Sequence, residues 1–109
     1  MQTETPYLSV VIPCYNEEKN LNRGVLGEVR QYIATQDFPW EVIIVNDEST
    51  DGSRDLIERF IQDAEGFSLH DIAHGGKPAA VWAGIQKAAG EFVLFPYMDQ
   101  SKIIGELVK

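Results

Sequence analysis

The sequence predicts an α/β fold, a Rossmann-like αβα sandwich with a parallel sheet of about four strands. Short β-branched runs alternate along the chain with segments whose apolar residues recur at helical spacing. Short loops join them in the order strand, helix, strand, helix, which is typical of parallel sheets with right-handed crossovers. The run Val42–Val45 has four consecutive β-branched residues and indicates a strand buried on both faces. Residues 1–109 are expected to form one domain.

Composition and charge limit the classes of function. The chain has 109 residues, of which 44% are hydrophobic, and this is enough for one core. The formal net charge of −8 excludes a protein that wraps a nucleic-acid backbone, since no basic stripe is present. The single cysteine, Cys14, cannot form an internal disulfide, and no run of about 18 apolar residues occurs. We therefore expect a cytoplasmic protein, membrane-peripheral in a longer context.

The first half of the chain predicts a strand and a long helix. The strand covers Leu8–Ile12 and is expected to stop at Pro13. Asn16 is expected to cap a helix that continues to about Thr35, weakened at Gly24. The apolar stripe of this helix consists of Leu21, Val25, Leu26, Val29, Tyr32 and Ile33.

The second half repeats this alternation. The strand Glu41–Val45 leads into a helix that Asp51 is expected to cap and Gly66 to end. Phe67–Ile72 alternates apolar and polar residues, which indicates a less buried strand towards a sheet edge. The remaining predicted elements are a helix over Ala79–Ala89 starting at Pro78, a strand over Glu91–Phe95 and a last helical turn from Ser101 to Leu107.

Polar residues cluster where the central strand ends. Asn46, Asp47, Ser49 and Asp51 directly follow Val45. In open α/β sheets ligands bind just outside the carboxyl ends of the strands, so a binding site is expected here. A helix cap at Asp51 and a turn at Ser49 would explain part of the cluster without a ligand. They leave Asn46 and Asp47 unexplained.

Two well-known phosphate motifs are excluded. After the first strand the chain reads Pro-Cys-Tyr-Asn-Glu-Glu, which lacks the glycines of the dinucleotide-binding G-x-G-x-x-G turn. Gly76 and Lys77 are followed by Pro78, where a P-loop needs Ser or Thr for magnesium. Asp71 also stands where the first P-loop glycine should be.

Blocks of sequence at successive predicted strand exits carry a family resemblance. They are Val10–Glu18, Val45–Ser53, Gly76–Val81, and Gly90–Phe95 with Met98–Ser101. In this order and spacing they resemble the inverting family-2 glycosyltransferases of the GT-A fold, and most of all the branch that makes dolichyl- or polyprenyl-phosphate sugars. The resemblance spans nearly the whole chain. It implies the N-terminal, donor-binding half of a GT-A domain.

The resemblance implies a pocket for a nucleoside-diphosphate sugar. Pro13, Tyr15 and Glu17 would line the base and ribose, while Asp47, with Asn46, would hydrogen-bond the base edge. The resemblance assigns no catalytic residue. The full set of implied binding residues is Pro13, Tyr15, Asn16, Glu17, Asn46, Asp47, Ser49, Gly76 and Lys77.

The resemblance also implies a diphosphate site and a metal ion. Lys77, with the amides of Gly75 and Gly76 at a helix N-terminus, suits a diphosphate. Asp99 matches the last acid of the D-x-D motif, where a divalent ion, Mg or Mn, bridges the diphosphate. Tyr97 stands where the first acid should be, and a neutral phenol is a poor ligand for a hard cation. We therefore expect metal to strengthen nucleotide binding only weakly.

The implied partners depend on a second half. The chain is shorter than a complete GT-A domain, so we expect no transfer to a polyprenyl-phosphate acceptor by these 109 residues alone. An exposed sheet edge predicts a homo-oligomer. Two other hypotheses stay open: a catalytically silent remnant that binds nucleotide or oligomerises, and a receiver-like or flavodoxin-like regulator. Four residues without a partner at ligand spacing are interpreted as structural, namely His70, His74, Cys14 and Trp82.

Overall fold

A four-stranded parallel sheet forms the centre of the molecule in a computed structural model that describes residues 5–96. Its strands are β1 (Leu8–Cys14), β2 (Trp40–Asn46), β3 (Phe67–Asp71) and β4 (Phe92–Leu94). The helices are α1 (Glu18–Asn22), α2 (Val25–Ile33), α3 (Ser53–Ile61) and α4 (Lys77–Lys87). The strand order is β3-β2-β1-β4, with every neighbouring pair parallel. The predicted parallel sheet and the edge position of the third strand are confirmed.

Helices cover both faces of this sheet. Because successive side chains of a strand point to opposite faces, β1 and β2 divide their apolar residues between two core clusters. Val10 and Ile44 pack on the face that carries α2 and α3, together with Ile33 and Ile57. Val11, Ile43 and Val45 pack on the other face, against Ala80 of α4. The predicted αβα sandwich is confirmed.

Helix α4 approaches the sheet very closely at Gly84. A Cβ atom at this position would lie 2.1 Å from Cγ1 of Val11. Gly84 and Ala80 are both buried, so the face of α4 that contacts β1 has almost no side-chain volume. The absence of a side chain at Gly84 therefore sets the distance between helix and sheet.

Pro13 does not end the first strand, contrary to the prediction. β1 continues to Cys14, with Pro13 beside Val45 and Cys14 beside Asn46. The carbonyl of Cys14 accepts a hydrogen bond from the Asp47 amide, so by alternation the backbone of Pro13 faces the β4 side. There the pairing with β4 covers only Leu8–Val10. The missing N–H of Pro13 therefore breaks no bond of the sheet.

The predicted long helix is divided into two. Gly24 adopts a left-handed conformation with φ of 88°, which ends α1 and begins α2. Asn16 is not the helix cap, because α1 starts at Glu18 with Glu17 at the N-cap position. Asp51 also lies one residue before the N-cap of α3, which is Gly52, although its Oδ1 accepts a hydrogen bond from the Ser53 amide at 2.9 Å. The helical pattern was right and its boundaries were wrong.

A hydrogen-bond network around Glu41 closes the turn between α4 and β4. Oε2 of Glu41 accepts from the Ser9 hydroxyl at 2.6 Å and from the Ala89 amide at 2.8 Å. The Gly90 amide in turn donates to the Ser9 hydroxyl oxygen at 2.8 Å. This network joins the starts of β1 and β2 to the residues that precede β4.

The remaining predicted features concern helix length and the end of the chain. Helix α4 starts at Lys77, so Pro78 lies in its first turn as predicted. The predicted turn from Ser101 to Leu107 lies outside the described residues. Within residues 5–96, no helix has the length and apolar character needed to cross a lipid bilayer.

Candidate functional site

A pocket of about 250 Å³ opens at the carboxyl ends of β1 and β2, beside the start of α4. This is the edge of the sheet at which a ligand site was predicted. Its lining consists of Pro13, Cys14, Tyr15, Glu17, Asp47, His74, Gly76, Lys77 and Ala80. Six of these nine residues are among the predicted nucleotide-binding residues: Pro13, Tyr15, Glu17, Asp47, Gly76 and Lys77. Segments distant in sequence therefore meet in one cavity.

Asp47 lies at the base of this pocket, with only 2% of its surface exposed. Its Oδ1 accepts a hydrogen bond from the Gly75 amide at 2.8 Å, and its Oδ2 accepts from the Gly76 amide at 2.9 Å. Nδ1 of His74 lies 3.1 Å from the same Oδ2. The carboxylate therefore fixes the loop that leads into α4.

These contacts correct one expectation about phosphate binding. The amides of Gly75 and Gly76 were expected to face a diphosphate, but both donate to Asp47. An amide that already donates a short, charge-assisted hydrogen bond is not available to a ligand. Lys77 is then the predicted phosphate contact that remains in the pocket lining.

His74 is a pocket residue that the sequence interpretation missed. Its ring packs against Tyr15 with centroids 4.6 Å apart and an angle of 34° between the planes. The His74 amide donates to Oε1 of Glu48 at 3.0 Å, which adds a second link between this loop and the end of β2. The signal in the sequence was position: His74 follows β3 and precedes Lys77 by three residues, at the same sheet edge as Asp47.

Three predicted binding residues lie outside the pocket lining. They are Asn16, Asn46 and Ser49, and their side chains bond to other parts of the protein. Asn16 and Ser49 connect the loop after β1 to the loop after β2. Their role as nucleotide contacts stays a prediction.

Asn46 lines a second depression, together with Arg54 and Asp71. It is 3% exposed, and its Nδ2 donates to Oδ1 of Asp71 at 2.9 Å. Arg54 forms a two-pronged contact with the same carboxylate through Nε at 3.0 Å and an ion pair through Nη2 at 2.9 Å. The hydrogen bond from Arg54 lowers the pKa of Asp71 from its ordinary value. An amide suits position 46 because a second carboxylate here would have no proton to donate to Asp71.

Cys14 lines the pocket as a buried thiol. Its surface is 1% exposed, and burial raises its pKa from 9.0 to about 11. Sγ lies 3.9 Å from the hydroxyl oxygen of Ser49, a contact that opposes this rise. The thiol is therefore protonated at neutral pH and contributes an apolar wall.

The described residues do not form a metal site. Within residues 5–96, no group of three or more His, Cys, Asp or Glu side chains could hold a metal ion. Asp99 and Tyr97, which the sequence places in the metal motif, lie outside this part of the chain.

Comparison with known proteins identifies the family. The model of the family described as "Glycosyl transferase family 2" matches residues 9–99, a span that includes every residue of the pocket lining. This chain belongs to glycosyl transferase family 2. The resemblance predicted from the sequence is thereby confirmed.

Curated relatives in this family are longer than the chain. A dolichyl-phosphate beta-glucosyltransferase of Trichomonas vaginalis is 37% identical over 106 residues, covering 92% of this chain and 32% of the relative. An undecaprenyl-phosphate 4-deoxy-4-formamido-L-arabinose transferase of Pectobacterium carotovorum is 40% identical over 94 residues, covering 80% and 27%. The chain spans about a third of the length of the curated relatives it matches.

Solved structures of family-like proteins share the fold. A crystal structure of S. aureus TarS in complex with UDP-GlcNAc matches with a TM-score of 0.71 and 28% identity, covering 92% of this chain and 29% of that one. The mannosyltransferase PcManGT from Pyrobaculum calidifontis, in complex with GDP-Man and Mn²⁺, matches with a TM-score of 0.67 and 26% identity, covering 98% and 34%. The fold described above is thus that of glycosyltransferases that bind nucleotide sugars.

Proposed function

We propose that this chain binds the nucleoside-diphosphate sugar donor of a glycosyltransferase that glycosylates a polyprenyl-phosphate acceptor. The observation that carries the proposal is the pocket itself, which joins Tyr15, Glu17, Asp47 and Lys77 within a chain of family 2. The names of the relatives from Trichomonas and Pectobacterium support a lipid-phosphate acceptor. The residues for that acceptor are not assigned within the described part of the chain.

The pocket offers complementary chemistry for the parts of such a donor. The exposed ring of Tyr15, 43% accessible, gives a flat apolar surface for a nucleobase. The carboxylate of Glu17 offers acceptors for ribose hydroxyls. The ammonium group of Lys77 supplies positive charge for a diphosphate. Apolar walls from Cys14 and Ala80 complete a lining that combines apolar surface with polar groups, as is usual for small-molecule sites.

In an inverting transfer the acceptor oxygen attacks the anomeric carbon in line with the departing diphosphate. Negative charge then accumulates on the diphosphate, and Lys77 lies where its charge would stabilise that group. Asp47 contributes indirectly, because it fixes the loop that presents Lys77. A divalent ion, such as the Mn²⁺ in the PcManGT complex, would supply further charge neutralisation.

Calorimetric titration tests this function. UDP, GDP, UDP-glucose and GDP-mannose are titrated into the parent, Lys77→Ala and Lys87→Ala proteins, with and without Mn²⁺. Lys87 is a matched control, since it is an exposed lysine at the other end of α4. We expect Lys77→Ala to weaken the preferred diphosphate about tenfold, or roughly 1.4 kcal/mol, while Lys87→Ala leaves Kd unchanged.

The outcomes separate the hypotheses. Failure of all four ligands to bind the parent would refute the donor site. Equal losses in the two lysine variants would show a general charge effect and not a contact in the pocket. The manganese arm tests the sequence prediction for Tyr97 and Asp99, for which a large gain in affinity with Mn²⁺ in the parent would be the contradicting result.

A further inference from the structure

Asn16 adopts an unusual backbone conformation, and its Oδ1 accepts several hydrogen bonds from one loop. Its φ of 52° is left-handed, a conformation that Asn and Asp tolerate better than other residues with side chains. Its Oδ1 accepts from the Thr50 amide at 2.8 Å, the Asp51 amide at 3.3 Å and the Thr50 hydroxyl at 3.3 Å. Its own amide donates to the Ser49 hydroxyl oxygen at 3.0 Å. The side chain is therefore directed at the loop after β2 and not at the pocket.

The contacts of Asn16 are the first in a series of hydrogen bonds between the loops after β1 and β2. Further along, the Glu17 amide donates to the Ser53 hydroxyl oxygen at 2.8 Å. The Glu18 amide donates to Oδ2 of Asp51 at 3.3 Å, and Oε1 of Glu18 accepts from the Gly52 amide at 2.9 Å. Each loop supplies both donors and acceptors, so each depends on the other for its conformation.

These hydrogen bonds between the loops affect the pocket because Asn16 lies between two pocket-lining residues in the chain. Tyr15 and Glu17 line the pocket on either side of it in sequence, while Asn16 does not. The opposing loop follows Asp47, which fixes the amides of Gly75 and Gly76. A shift of the two loops relative to one another would therefore displace the base-side wall of the pocket relative to its phosphate-side loop.

We propose that Asn16 is a positioning residue, which holds the two pocket loops in register through Oδ1 and does not itself contact the nucleotide. This inference rests on the proposed function for its effect on affinity. Its structural part can be measured without any ligand. This part is the coupling of the loop after β1 to the hydrogen bonds that the amides of Gly75 and Gly76 donate to Asp47.

Three substitutions of Asn16 distinguish positioning from contact. Asn16→Asp keeps the acceptor and the tolerance for a left-handed backbone, but it loses the Nδ2 donor and adds a negative charge. Asn16→Gly keeps the backbone conformation and loses the acceptor. Asn16→Ala loses both. Asn22→Ala is the matched control, since Asn22 is an exposed residue at the end of α1.

Two readouts are taken from all four variants well below their melting temperatures. The first is Kd for UDP and GDP by calorimetry. We expect Asn16→Gly and Asn16→Ala to weaken binding about tenfold, and Asn16→Asp and Asn22→Ala to stay within about threefold of the parent. The second is amide hydrogen exchange without ligand. We expect faster exchange at Thr50, Asp51, Gly75 and Gly76 in Asn16→Gly, and parent-like exchange in Asn16→Asp.

Each outcome decides the proposal. If Asn16→Asp weakens binding as much as Asn16→Ala while keeping its amide protection, Asn16 contacts the nucleotide through Nδ2 and the proposal is wrong. If Asn16→Gly changes Kd no more than Asn22→Ala does, the residue is merely structural, and the proposal is wrong again. If the parent binds no nucleotide, the proposed function fails. The exchange rates of Gly75 and Gly76 then decide alone, and unchanged rates in Asn16→Gly would overturn the coupling.

Discussion

At the scale of single residues, Asp47 shows how a buried charge can be used to shape a site. Its carboxylate is almost inaccessible, yet two amides and a histidine nitrogen surround it. A buried carboxylate without such donors would cost several kcal/mol. The glycines at 75 and 76 allow the backbone to wrap round it, since Gly76 has a φ of 87°. The loop therefore adopts the conformation that supplies hydrogen-bond donors to the buried carboxylate of Asp47.

The buried thiol of Cys14 should be slow to react. At pH 8 a thiol with a pKa of about 11 is roughly a hundredfold less ionised than one with the ordinary value of 9.0. We expect alkylation by iodoacetamide to be about a hundred times slower in the folded protein than in urea, as measured by mass spectrometry. Alkylation of the folded protein at the rate of the unfolded chain would contradict the burial of Cys14.

The same shift in pKa gives a dependence of stability on pH. The folded pKa of Cys14 is raised, so the folded state favours the protonated thiol. Its contribution is complete below pH 9 and is lost as pH rises from 9 towards 11. The free energy of unfolding of the parent should fall more steeply over this range than that of Cys14→Ser, which has no thiol to ionise.

Replacing Asn46 by Asp should destabilise the fold. The substitution removes the donor to Asp71 and places a carboxylate at a buried position, about 3 Å from the half-exposed carboxylate of Asp71. We expect a loss of about 1–3 kcal/mol in the free energy of unfolding in urea at pH 7. Asn22→Asp on exposed α1 is the control, with a change below about 0.5 kcal/mol.

The pH dependence of Asn46→Asp makes this prediction specific. In the parent the pKa of Asp71 is lowered, so its stabilising contribution is present above the ordinary value of 3.8 and is lost as pH falls below it. In the variant, protonation of one of the two carboxylates relieves their repulsion. The difference in stability between the two proteins should therefore shrink from pH 7 to pH 5. A difference that stays constant would mean that repulsion is not its cause.

At the scale of elements, two helix glycines should respond in opposite ways to the same substitution. Gly84→Ala places a methyl group against Val11 at the interface of α4 with β1 and should cost about 1–3 kcal/mol. Gly27 lies in α2, and nothing lies within 4 Å of a Cβ atom built there. Gly27→Ala should stabilise by about 0.5–1 kcal/mol. Urea unfolding of both variants measures the contrast, and destabilisation by both would refute the helix–sheet contact as the cause.

The sequence was sufficient to predict the elements because their signals are local. Runs such as Val42–Val45 and the stripe of α2 specify strand and helix directly. The boundaries at Pro13, Asn16 and Gly24 were not predictable in the same way. Pro13 fits within β1 only because β4 pairs with the first three residues of that strand, and Asn16 is held by a loop more than thirty residues away. Both depend on partners that no local pattern reveals.

The pocket was predictable to a similar extent. The rule that ligands bind at the carboxyl ends of parallel strands located it, and six of its nine lining residues were named in advance. What failed was the direction of individual side chains and amides. The sequence does not show that Gly75 and Gly76 donate to Asp47, nor that the ring of His74 packs on Tyr15. Such contacts follow from how three loops pack together.

At the scale of the whole molecule, the edge strand β4 should promote self-association. β4 has three residues and pairs with β1 alone among the described strands. Phe92 is 53% exposed beside Tyr7, with ring centroids 5.1 Å apart. Light scattering at micromolar concentration and moderate ionic strength should give the mass of a dimer or larger species. The ionic strength matters because a net charge of −8 opposes association when it is unscreened.

Two lysine variants make the test of self-association specific to β4. Phe92→Lys places a charge on the edge strand and should shift the protein towards monomer. Trp82→Lys replaces another exposed aromatic residue, 61% accessible, on α4 and should leave the mass unchanged. A monomeric parent across this concentration range would count against the prediction, as would equal effects of both substitutions.

The hydrogen-bond network around Glu41 lies at the starts of β1 and β2, whereas the pocket lies at their carboxyl ends, with the five residues Val42–Asn46 between Glu41 and Asp47. The bonds that bring the turn before β4 onto the sheet therefore use none of the pocket-lining side chains. Sequence changes in the loops around the pocket would therefore leave the hydrogen bonds around Glu41 intact. Variation at the pocket end of the sheet does not have to be compensated at the other end.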